Sequence, residues 1–188
     1  RATWAAPVVH LGSEHRIAIY QNVPLANLLF KGDDDLSANV SLSRLAEGVR
    51  LSVVARDDIF CQNEPSGAEW QGDSLQFAIA TQNHANFEWT AALTAKGAIA
   101  HLDIAPAGTK LGTADFPLVI HRDEASKETI YDLIIPNMLP DGSQLGDRFA
   151  ITLLVNDDDG GGRKGYVEWT PGIGRSKDPT AYQPVVVR

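Results

Sequence analysis

The sequence predicts an all-β fold, an antiparallel β-sandwich. Three observations predict it: short segments of alternating or β-rich residues recur along the chain, turn residues separate them, and a helical period is nearly absent. In chain order the segments are Arg16 to Tyr20, Ala38 to Leu42, Val49 to Ala55, Ser74 to Ala80, Phe87 to Thr94, Ala98 to Ile104, Phe116 to His121, Thr129 to Ile135, Phe149 to Val155 and Tyr182 to Val187. Each is rich in β-branched and aromatic residues or alternates between apolar and polar ones. The breaks are Pro65-Ser66-Gly67, Lys96-Gly97, Pro106-Ala107-Gly108, Asp141-Gly142 and Asp178-Pro179. Only Leu42 to Glu47 hints at a helical turn. This spacing favours a sandwich over alternating βα units.

Length and composition set further bounds. At 188 residues the chain fits a single domain, 1–188, with a sizeable core. Hydrophobic residues at 44% against 21% charged argue for a globular chain, and 16 Gly with 10 Pro suit a turn-rich one. The net charge is -8 and the basic residues are scattered, which disfavours nucleic acid as a partner. No apolar run approaches the roughly 20 residues of a membrane span, and no basic amphipathic helix suggests membrane-surface binding. The chain opens at Arg1 without a signal peptide, so a processed or excised module is expected. The lone Cys61 excludes an intramolecular disulfide and cysteine-rich metal sites.

The most informative stretch is Ile151 to Gly174. Phe149, Ile151, Leu153 and Val155 share one face of a strand, and Leu154 adds apolar surface to the other. Asn156 and Asp157 to Asp159 follow, and then Gly160, Gly161 and Gly162 allow a sharp turn. Arg163 brings a planar donor fork. In Tyr166 to Trp169, the period of two puts Val167 and Trp169 on one face and Tyr166 and Glu168 on the other. An aromatic beside Asp, Asn, Gln and Arg suits a neutral, polar, ring-shaped ligand such as a sugar. Its C–H face stacks on the ring and its hydroxyls pair with the polar groups.

Four stretches, 32–60, 70–79 (WQGDSLQFAI), 131–139 and 149–187, together resemble the family 9 carbohydrate-binding modules and their DOMON-like relatives. The most specific part is the ND-D-G-R turn with its following tryptophan and the late K-D-P; residues 1–31 are the least typical. The resemblance implies a jelly-roll-like sandwich that is not catalytic, is attached to a secreted, bacterial glycan-processing enzyme, and works outside the cell or in the periplasm. It implies a sugar of an oligosaccharide or polysaccharide held between two tryptophans, and structural calcium elsewhere. Position by position, Trp70 and Trp169 match the clamp, and Asn156 and Arg163 match polar positions of the turn. Gln76 stands where the family usually has a glutamate, and Lys96 or Arg122 is a candidate for a basic residue on a middle strand. Asp73 either touches ligand or ties down its own loop.

Other readings have weaker support in the sequence. Trp89 shares a face with Phe87, Ala91 and Leu93 and belongs to the core, while Trp4 receives no role. The runs Asp33 to Asp35, Asp57-Asp58 and Asp157 to Asp159 read as solvated turns, which leaves the calcium of the resemblance open and no metal ligands assigned. No catalytic residue is expected. His10, His15, His84, His101 and His121 form no H-E-x-x-H pair, and no G-x-S-x-G elbow is present. A haem site of the DOMON-like type would rest on Met138 alone, and a degenerate spacer or docking domain without sugar affinity is the main alternative.

Overall fold

The computed structural model describes residues 9–19 and 30–188; Trp4 and Tyr20 lie outside them. Two sheets face each other, and every strand pair among the described residues is antiparallel. One sheet has the order β1 (Val9–Leu11), β3 (Leu36–Arg44), β4 (Gly48–Asp57), β10 (Glu128–Pro136), β9 (Leu118–Asp123). The second runs β2 (Arg16–Ala18), β12 (Gly165–Glu168), β11 (Arg148–Asp157), β5 (Leu75–Thr81), β6 (Asn86–Thr94), β7 (Gly97–Ile104), β8 (Gly112–Thr113). The first half of β11 also pairs with β13 (Gln183–Val186), on the edge that β12 takes farther along.

Alternation decides which side chains meet between the sheets. Ala38, Val40 and Leu42 of β3, Val49, Leu51, Val53 and Ala55 of β4, and Tyr131, Leu133 and Ile135 of β10 point inward from the first sheet. Phe77, Trp89, Phe149, Ile151, Leu153 and Val155 answer from the second. Trp89 is in the core, as its face predicts, with ring centroids 5.1 Å from Phe77 and 5.8 Å from Phe87 in stacked geometry. Leu154, on the other face of β11, joins a smaller buried cluster with Ala78, Tyr166, Ile173 and Tyr182. The outer face of the second sheet is therefore covered by loops, and its side chains floor a cavity.

The helical turn read at Leu42 to Glu47 is not formed. β3 continues to Arg44, and the Leu45 N–H donates to the carbonyl of Gly48 (2.8 Å) as the chain reverses into β4. Pairing along β4 outweighs the local helical preference. Gly48 is required there, since a Cβ would sit 2.1 Å from the carbonyl oxygen of Ile135. Among the described residues no helix is long and apolar enough to cross a membrane.

Candidate functional site

A cavity of about 360 Å³ opens over the outer face of β5, β6 and β7, lined by Trp70, Gln76, Glu88, Asp103, Arg163 and Lys177 together with Ile104, Ile173, Gly67 and Gly174. Each strand contributes by its period. In β6 the core takes Phe87, Trp89 and Ala91, so Glu88 and Thr90 must face outward. Along the β6–β7 pair the register slips between Glu88 and Trp89 of β6, whose partners are Ile104 and Leu102; Asp103, the extra residue on β7, lines the cavity. Gly174 lies close to the Tyr166 ring, where a Cβ would come within 2.2 Å of the hydroxyl oxygen.

The floor is a chain of hydrogen bonds. Asn156, fully buried, donates from Nδ2 to Ser74 Oγ (2.9 Å) and Gln76 Oε1 (3.2 Å), and its Oδ1 accepts from Arg163 Nε (2.7 Å). Gln76 Nε2 donates to Glu88 Oε1 (3.3 Å), which also accepts from Lys177 Nζ (2.5 Å). Arg163 stacks across Trp70 and Tyr166, 5.4 and 4.8 Å from their ring centroids. Two buried atoms of the residues that line the cavity have no partner among the described residues: Glu88 Oε2, an acceptor, and an Arg163 terminal nitrogen (Nη2), a donor. Burial pushes the Arg163 pKa down to about 10, so it stays cationic at neutral pH. Burial raises Glu88, with Lys177 pulling the other way.

Of the expected site residues, Trp70, Gln76 and Arg163 line this cavity. Trp70 rides on a 3-10 turn, Glu69–Gln71, and keeps 39% of its surface exposed. Asn156 lies behind the others and orients them. Asp73 ties down its own loop: its carboxylate accepts from the backbone N–H of Cys61 and of Asp158 (2.8 Å), which joins the Trp70 loop to the glycine-rich turn. Trp169 is not in the cavity. It packs on the main core with Val167 and lines a separate apolar gap with Val9, Val40, Leu42 and Val185. The two-tryptophan clamp is therefore not assembled in this structure, because the period of two sends Trp169 to the inner face of the sheet.

Neither candidate for the basic residue lines this cavity. Arg122 lies on β9 in the other sheet, donating to the carbonyl of Asp57 (2.9 Å), and Lys96 lines a neighbouring cavity beyond the Trp70 loop. Lys177 of the K-D-P motif does line it. Glu88, Asp103 and Lys177 were not among the expected residues, although assigning Trp89 to the core already implied an outward Glu88. Met138 is 65% exposed beside a cavity of about 220 Å³, below the roughly 300–1,000 Å³ of ordinary cofactor sites.

Behind the cavity one end of each acidic run comes together and is buried, while Asp33 and Asp34 stay exposed in a turn, as read from the sequence. Asp35, Asp57, Asp73, Asp157 and Asp158 are buried. Asp158 Oδ1 caps its own loop, accepting from Gly160 N–H (2.7 Å) and Gly162 N–H (2.9 Å). Burial first, and then the charge of Asp157, pushes the Asp57 pKa up to about 8; burial and Asp57 raise Asp73 likewise. Lys164 and Arg16 supply the balancing positive charge.

No family model matches this chain, and no curated protein matches its sequence. Solved structures match its fold. A family 9 carbohydrate-binding module from Caldicellulosiruptor kristjanssonii in complex with cellotriose superposes with a TM-score of 0.65 at 10% identity, covering 96% of this chain and 83% of the other. A family 9 module from the same organism in complex with glucose gives a TM-score of 0.64 at 11% identity, covering 96% and 84%. The fold is the β-sandwich of these modules.

Proposed function

We propose that this chain is a noncatalytic carbohydrate-binding module that stacks one sugar ring of an oligosaccharide or polysaccharide on Trp70. The observation that carries this reading is the pairing, along one open cavity, of an exposed tryptophan with a buried acceptor, Glu88 Oε2, and a buried donor, Arg163 Nη2, that have no partner among the described residues. A sugar presents an apolar face and hydroxyls that both donate and accept, and these groups answer it. The two superposable modules, bound to cellotriose and to glucose, support the same reading. Glu88 Oε1 is already held by Lys177 and Gln76, and Asp103 Oδ2 by Thr90 Oγ1 (2.6 Å), so both carboxylates are arranged as fixed acceptors. In the cell the module would hold an attached glycan-processing domain against polysaccharide, raising its effective substrate concentration. On extracellular polysaccharide such work calls for a secreted protein, and we take the host protein to be secreted and bacterial.

The test is titration calorimetry with glucose and cello-oligosaccharides after a glycan-array screen. Micromolar to millimolar affinity without release of reducing sugar is expected for a small polar ligand on one stacked aromatic. Hydrolysis that vanishes with Glu88→Gln or Asp103→Asn would make the chain an enzyme. The spacer reading is favoured by one observation: Trp70 is the only tryptophan among the described residues that lines this cavity. A flat screen from a folded protein would support it.

Sugar affinity should also depend on pH. Burial lifts the Glu88 carboxyl above its ordinary value of 4.5, so it protonates, and loses acceptor strength, at a higher pH than an exposed glutamate. Affinity is expected to be flat near neutrality and to fall as the pH drops through that raised value. In Glu88→Gln binding should be weaker and this fall shallower, what remains coming from Asp103, whose carboxyl burial also raises; parallel profiles for the two proteins would remove Glu88 from the site.

A further inference from the structure

We propose that the ammonium of Lys164 is the resident cation of the buried acidic knot, standing where a divalent ion would otherwise sit, and that the knot takes up no calcium. Two groups of carboxylates converge closely enough to share an ion, Asp35, Asp58 and Asp159 in one and Asp57, Asp157 and Asp159 in the other. They have Asp159 in common, and Asp159 Oδ2 already accepts from Lys164 Nζ at 2.6 Å. The same nitrogen lies 2.7 Å from Asp35 Oδ1 and 3.5 Å from Asp157 Oδ2, so it touches both groups. Arg16 completes the shell with Nη1 at 2.6 Å from Asp157 Oδ2. The lysine is 1% exposed and the arginine side chain 7%, so neither is a surface charge drawn in by chance. A second cation entering here would face two buried positive groups with little water to screen them. The carboxylates alone suit calcium; with the ammonium among them they do not.

The backbone of Lys164 belongs to the same device. Its N–H donates to the carbonyl of Asp157 (2.8 Å), closing the turn that carries Arg163, and its carbonyl accepts from Ile19 N–H (2.9 Å). One residue thus closes the turn through its backbone and staples it to Asp35 at the start of β3, 129 positions away, through its side chain. Burial works against the charge of Lys164, but its bonds to Asp159 and Asp35 and the charge of Asp157 prevail and raise its pKa. Lys164 is therefore a positioning residue for Arg163 as well as a counterion.

The test is thermal melting of the wild type and of Lys164→Ser, each in chelator and in millimolar calcium, with calorimetric titration of the wild type by calcium. The wild-type melts should superimpose and the titration should show no binding. Lys164→Ser leaves three carboxylates without their shared cation, and its melting point should fall by about 6–20 °C in chelator. Calcium should recover part of that loss, because the vacated position is lined by hard oxygen ligands. Should Lys164→Ser not fold, Lys164→Gln, which keeps length and a donor, takes its place. Calcium binding by the wild type, a chelator-sensitive wild-type melt, or a lysine variant indifferent to calcium would each overturn the proposal.

Discussion

Trp169→Ala is expected to damage stability and leave the ligand site intact. Trp169 is partly buried, packs on the main core and shares its inward face with Val167. Truncating a fully buried tryptophan typically costs about 3–5 kcal/mol, and a partly buried one at the edge of the sandwich should lose about 2–4 kcal/mol. For a domain of this size that is a fall in melting temperature of roughly 4–16 °C. The backbone would not compensate: the Trp169 N–H donates to the carbonyl of Leu153 (2.9 Å) whatever the side chain, so the loss is one of apolar contact. Titration of the folded variant should return the wild-type affinity for sugar. A variant that melts normally but no longer binds would place Trp169 against the ligand and restore the two-tryptophan clamp.

Trp70→Ala should do the opposite. The ring is more than a third exposed and is carried on a short 3-10 turn, and the Arg163 guanidinium lies over it 5.4 Å from its centroid. Little core is lost on truncation. A stacking aromatic in a recognition site is typically worth about 1–3 kcal/mol, so affinity should fall at least roughly fivefold, and more than a hundredfold at the upper end. Removing the ring also uncovers Arg163 to water, which weakens its charge-assisted bonds to a ligand hydroxyl. Trp70→Phe should retain part of the affinity. Unchanged binding by Trp70→Ala would show that the sugar, if any, is held elsewhere.

Much of this protein is legible in its period-two patterns. The pairing of Phe149, Ile151, Leu153 and Val155 on one face, and of Phe87, Trp89 and Ala91 on another, follows from strand geometry alone, and these residues do form the core. The same rule put Trp169 on one face with Val167, and in the structure that face is the inner one. The resemblance placed Trp169 in the clamp, and local alternation was the better guide to where the structure puts it. Alternation likewise implied that Glu88 faces away from Trp89, although nothing nearby in sequence says what it would meet.

Those meetings are what only the tertiary structure decided. Glu88 and Lys177 are 89 positions apart, Asn156 and Gln76 are 80, and Lys164 and Asp35 are 129. A run such as Asp33-Asp34-Asp35 looks the same whether water or an ammonium neutralises it, and in this chain Asp35 is buried while its neighbour Asp34 pairs with Arg56 at the surface. The physical reason is that hydrophobic periodicity is a property of one strand, whereas a buried charge is tolerable only with a partner, and that partner is chosen by sheet order. The sequence by itself determined the sandwich and the inner face of each strand; the order of the strands decided which charged groups the outer face brings together.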